Sequence, residues 1–142
     1  MGVGSTEVFK SGSIIRSGIT SLFSAQGLSC GSSNAQSSTF IATGYRKALA
    51  YLTVSDTGST AVGNTVQFVP QFSESSAGTN WFDYREGVWA SMVFSAVQLQ
   101  TSTFRRAHTL PLDGRRLRFS AERNTTVDAI NFTVSVSLEA QD

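Results

Sequence analysis

Hydrophobic and polar positions alternate without a break over residues 130–139. Ile130, Phe132, Val134, Val136 and Leu138 take one side; Asn131, Thr133, Ser135, Ser137 and Glu139 take the other. A period of two sustained this long predicts a strand with one buried face and one wet face rich in hydroxyls. Residues 45–55 read the same way, with Ala48, Ala50, Leu52 and Val54 opposite Leu49, Tyr51 and Thr53. Over residues 88–98, Val88, Ala90, Met92, Phe94 and Ala96 face Trp89, Ser91, Val93, Ser95 and Val97, a run apolar enough to be covered on both faces. Residues 40–43, 64–72 and 116–121 are shorter strand candidates. Pro70 lacks an N–H and so is expected to make the end of 64–72 an edge or a strand terminus.

Turn residues separate these runs. Asp56-Thr57-Gly58-Ser59 divides two of them, residues 73–87 read as a long connection, and Asp113-Gly114 predicts a tight turn into Arg115-Arg116-Leu117-Arg118-Phe119. Six or more short strands at this spacing predict an all-β chain, an antiparallel β-sandwich or jelly-roll-like barrel. The first 38 residues differ from the rest. Residues 11–44 contain one charge, Arg16, among Ser and Gly. Ile14, Ile15, Ile19, Leu22 and Phe23 fit a short amphipathic helix or an edge strand, and Gly12 and Gly18 favour the extended form. Residues 27–38 read as a flexible loop. The expected division is therefore an N-terminal arm or first strand with its Ser/Gly-rich loop (1–38) and a β-sandwich domain (39–142).

Composition narrows the function classes. The 142 residues suit one domain, long enough to bury a core without a disulfide or metal staple. Only 15% of residues are charged, where about 25% is usual, and 37 are Ser or Thr. A net charge of +1 is too small for a nucleic-acid binder with a whole-domain basic field. With one Cys and one His, Cys30 and His108, the chain holds no Cys/His set for structural zinc and no internal disulfide. No apolar run approaches a membrane span, and the first residues lack the basic start and apolar core of a signal peptide. The expectation is a soluble protein made in a cytoplasm, with no cofactor.

An enzyme needs a constellation of groups, and none is legible. His108 stands beside Arg105 and Arg106, which disfavour its protonated form rather than orient it. Asp83 and Glu86 lack the Asp-x-Asp-x-Asp run of a calcium loop. There is no Gly-rich phosphate loop and no Gly-x-Ser-x-Gly elbow. Two features remain. Trp81, Phe82, Asp83 and Tyr84 put three aromatic rings in one polar loop, able to stack on a sugar or a partner, or to plug the end of a sandwich. Arg105, Arg106, Arg115, Arg116, Arg118 and Arg123 concentrate positive charge, with only Asp113 and Glu122 against it. Arg116 and Arg118 share a strand face, opposite Leu117 and Phe119. Such arginines recognise carboxylates and phosphates and are enriched at protein interfaces. Nucleic acid is the weaker reading, since no aromatic platforms interleave with them.

Four stretches occur in a telling order. They are Gly44-Tyr45-Arg46-Lys47-Ala48 within the stretch Phe40–Val54, Gly78-Thr79-Asn80-Trp81-Phe82-Asp83 after Val66-Gln67-Phe68, Leu117-Arg118-Phe119, and the final run Phe132–Leu138. Over residues 40–139 the sequence resembles small β-sandwich virion proteins of tailed bacteriophages. Ser75-Ser76-Ala77-Gly78 stands where that group has an acidic turn, and residues 85–109 depart from its pattern. The resemblance implies a virion structural protein without catalytic residues, most simply a head decoration (cement) protein on the capsid surface. Its partners would be the major capsid protein and further copies of itself, a trimer being favoured. A tail, neck or head–tail joining role and a glycan-binding module are the alternatives.

Overall fold

The computed structural model describes residues 16–28, 34–56, 65–73, 80–95, 103–113, 115–123 and 132–142. These form ten strands and a single 3₁₀ turn. Sheet A contains β1 (Arg16–Leu28), β10 (Phe132–Gln141), β4 (Lys47–Asp56) and β8 (Phe104–Pro111), side by side in that order. In sheet B, β9 (Arg116–Arg123) and β5 (Thr65–Ser73) are central. The short β2 (Asn34–Gln36) and β3 (Phe40–Ile41) share the free side of β9, while β6 (Trp81–Asp83) and β7 (Val93–Ser95) share that of β5. All pairings are antiparallel. Taking each short pair as one position leaves eight, ordered 1-8-3-6 in sheet A and 2-7-4-5 in sheet B. That is the strand order of a jelly roll.

Strand periodicity builds the core directly. Sheet A turns Leu52, Val54, Val134, Val136 and Leu138 inward, and sheet B answers with Val66, Phe68, Phe72, Leu117 and Phe119, all in one buried cluster. Their opposite neighbours, such as Thr53, Thr133, Ser135 and Ser137, stay half-exposed on the outer face of sheet A. Trp89 closes the core from the 3₁₀ turn Gly87–Ala90. Its ring is tilted against Phe119 at 5.7 Å, and its Nε1–H donates to the Thr109 carbonyl at 2.9 Å.

Several local expectations need correction. Of the stretch 14–23, Ile14 and Ile15 lie outside the described residues, and 16–23 take the extended alternative, since β1 runs along β10 as an edge strand interrupted by bulges. Gly18, at φ +76°, supplies the left-handed backbone that one irregularity uses. Residues 27–38 are not loop throughout. Leu28 is buried, and β2 pairs with Ser120, Ala121 and Glu122 of β9. The run 88–98 begins as the 3₁₀ turn, not as a strand, so Trp89 and Met92 point inward three residues apart. Pro70 does not end β5. It lies between residues 65–67, which pair with β7, and 71–73, which pair with β6, so its missing N–H breaks no ladder bond. Its carbonyl still accepts the Tyr84 N–H at 2.8 Å.

Candidate functional site

The outer face of sheet B carries the densest polar arrangement among the described residues. Register brings it together: Arg118 of β9 pairs with Gln71 of β5, which pairs with Asp83 of β6. Arg118 Nε donates to Gln71 Oε1 at 2.8 Å, and Gln71 Nε2 donates to Asp83 Oδ1, also at 2.8 Å. The Gln71 amide thus links a cation to an anion, one end accepting and the other donating. Arg85 completes the chain, with Nη2 2.9 Å from Asp83 Oδ2 and 3.4 Å from Glu122 Oε1. The Val69–Ser120 rung lies between the two carboxylates that Arg85 joins, and both residues are buried although they face outward.

The electrostatics follow from these contacts. The Gln71 hydrogen bond is the largest influence on the Asp83 carboxyl and, against the opposing effect of burial, it and the Arg85 guanidinium together hold that carboxyl below its ordinary range. The Asp83 hydrogen bond raises the Arg85 value, and burial lowers that of Arg118. Both guanidinia remain charged throughout the working range.

The aromatic loop does not form a single platform. Trp81 lies on the outer face, where the Arg118 guanidinium sits 4.4 Å from its ring centre. Phe82 faces the other side of β6 and is 56% exposed. Tyr84 packs edge-on against Phe72 at 5.8 Å, on the margin of the core. Plugging the sandwich therefore describes Tyr84 alone. Of the three rings only Phe82 is exposed rather than half-buried, so they offer a flat sugar no common platform.

The six arginines are dispersed as well. Arg105 and Arg106 lie on β8 in sheet A, whereas Arg116, Arg118 and Arg123 lie on β9 in sheet B. Arg116 and Arg118 do share the outer face, as the alternation with Leu117 and Phe119 requires. Arg123 has the opposite parity and is only 4% exposed, its guanidinium 5.6 Å from the Phe132 ring. Arg115 caps the sandwich margin, 3.7 Å from the Phe72 ring centre, and donates from Nε to the Leu112 carbonyl. A surface cluster of six was expected because sequence proximity hides which sheet each residue enters. Gln71, Arg85, Ser120 and Glu122 were not singled out by the sequence, since their link to Asp83 exists only through cross-strand register. Cys30 lies outside the described residues.

Among the described residues, no three His, Cys, Asp or Glu side chains are placed to hold a metal ion. No helix there is long and apolar enough to cross a membrane.

Comparison with known proteins gives little to set beside this geometry. No family model and no curated protein matches the chain. Among solved structures it is similar to the dimeric latent PorU of Porphyromonas gingivalis, with 13% identity and a TM-score of 0.41. That alignment covers 91% of this chain but only 12% of PorU.

Proposed function

We propose that this chain is a non-enzymatic structural subunit of a bacteriophage particle, most simply a head decoration (cement) protein. In this reading it sits on the outer capsid surface, contacts the major capsid protein and neighbouring copies of itself, and needs no cofactor. The supporting observation is where the exposed large hydrophobics lie. Ile19 (β1) and Ile41 (β3) occupy one lateral side of the sandwich; Phe82 (β6), Val88 and Val93 (β7) occupy the other. The first side is joined by the Ser38 N–H bond to the Leu22 carbonyl, the second by the Phe94–Phe104 ring contact.

Apolar residues on both flanks suit a subunit packed between neighbours, each flank meeting the opposite flank of the next copy and closing into a ring such as a trimer. The hydroxyl-rich outer face of sheet A can approach another protein without strong charge repulsion. A protein that binds only the assembled shell stabilises it by mass action. Co-sedimentation with expanded, undecorated capsids tests the reading. Saturable binding that raises capsid melting temperature is the expected result, and absence from purified virions by mass spectrometry overturns it.

A further inference from the structure

The geometry points to a second recognition site: we infer that the edge of β8, which no described strand covers, binds an extended acidic segment of another protein by strand addition. Three observations show which backbone groups of β8 face outward. The Thr109 carbonyl is taken by Trp89 and not by β4. Pro111, of the same parity, has no N–H to give the ladder. Leu112, of the other parity, donates its N–H to the Arg46 carbonyl at 2.6 Å, toward β4. Odd-numbered residues of β8 thus turn their backbone away from the sheet. Arg105 and Ala107 present an N–H and a C=O each to the open side, and no hydrogen bond between described residues reaches them.

Side chains at this edge specify what would pair there. Arg105 and Arg106 are both exposed and have no acidic partner among the described residues. Arg105 faces outward beside Thr53, and Arg106 has inward parity, its guanidinium 5.2 Å from the Phe94 ring. Ala107 is small and stands opposite Tyr51, beside an open groove of about 250 Å³ lined by Tyr51, Leu52, Thr53, Arg105, Arg106 and Ala107. An antiparallel strand on this edge would set an apolar residue opposite Ala107, then an acidic residue opposite Arg106, then another opposite Arg105. The recognised pattern is therefore apolar–acidic–acidic. No two acidic residues are adjacent anywhere in the 142-residue sequence, so a second copy cannot supply this pattern from within it. The occupant proposed is a different protein. This inference does not rest on the virion reading, and because the β8 edge borders the flank carrying Phe82, Val88 and Val93, such a segment and the neighbouring copy of the proposed ring would compete for it.

The test uses a capped ten-residue peptide of alternating threonine and valine with leucine–glutamate–glutamate at its centre. Its controls carry leucine–lysine–lysine or the reversed order glutamate–glutamate–leucine. Titration calorimetry is expected to show the first peptide binding about tenfold more tightly than either control, with affinity falling as salt rises. Protection of the Arg105 and Ala107 amides from hydrogen exchange should accompany binding. In R105E/R106E the preference should reverse toward the lysine peptide, and Ala107→Pro should abolish binding by removing an outward N–H that β4 does not use. Equal affinity for all three peptides, or an unchanged preference in R105E/R106E, overturns the proposal. So does self-association of R105E/R106E without peptide binding by the native chain, since the arginines would then serve to keep the edge unpaired.

Discussion

The Arg118 guanidinium lies 4.4 Å from the centre of the Trp81 ring while its Nε donates to Gln71, so one cation touches β6 directly at Trp81 and reaches Asp83 through the Gln71 amide. A three-residue edge strand has little backbone pairing of its own. Arg118→Ala is expected to lower stability by about 1–2 kcal/mol, combining a cation–π contact with a charged hydrogen bond. Arg118→Lys should recover less than half, because lysine lacks the planar Nε donor. Urea unfolding followed by tryptophan fluorescence measures both, and an unchanged midpoint in Arg118→Ala would contradict this.

Asp83 makes the same face sensitive to acid. Its carboxyl is lowered in the folded protein, first by the Gln71 hydrogen bond and then by Arg85. Its stabilising contribution is therefore complete above the unfolded value of about 3.9 and is lost as pH falls through the folded one. The stability difference between the native chain and Asp83→Asn should be present at pH 7 and shrink below about pH 4. Parallel stability profiles across that range would show that the carboxylate contributes nothing.

Gly44 adopts φ +88° in the turn before β4, and the space where a Cβ would stand is open. Gly44→Ala is therefore opposed by backbone conformation alone, at about 1–2 kcal/mol. Gly44→Asn should be milder. Thermal unfolding separates the two, and equal melting temperatures for Gly44→Ala and the native chain would exclude the turn as a constraint.

Trp89 joins the sheets by packing on Phe119 and by donating to the Thr109 carbonyl. Trp89→Ala should cost about 3–5 kcal/mol, and Trp89→Phe about 1–2 kcal/mol for the lost hydrogen bond and ring area. Chemical denaturation of both variants checks the order, which a Phe variant as unstable as the Ala variant would reverse.

Much of this architecture was legible because burial on one face leaves a period-two signature. β10, β4 and β9 read directly from Val134–Val136–Leu138, Ala50–Leu52–Val54 and Leu117–Phe119. β8 did not, because an edge strand need not keep its inward positions apolar, and Arg106 and His108 occupy two of them. β6 was hidden in a connection, being three residues long with none of them buried. Asp83, Trp81 and Arg118 each stood out, but their union through Gln71 depends on register between strands far apart in sequence.

Side-to-side assembly predicts a specific pattern among variants. Ile41→Glu damages one flank and Val93→Glu the other, so each alone should be monomeric by light scattering. Mixed together they retain one intact contact and should form dimers and no larger species. Monomers alone in the mixture would contradict head-to-tail packing.

Binding to an expanded, undecorated capsid tests the virion reading most directly. The purified protein is expected to pellet with such capsids to a fixed stoichiometry and to raise their melting temperature. Protein that stays in the supernatant at saturating concentration, with capsid melting unchanged, would contradict it.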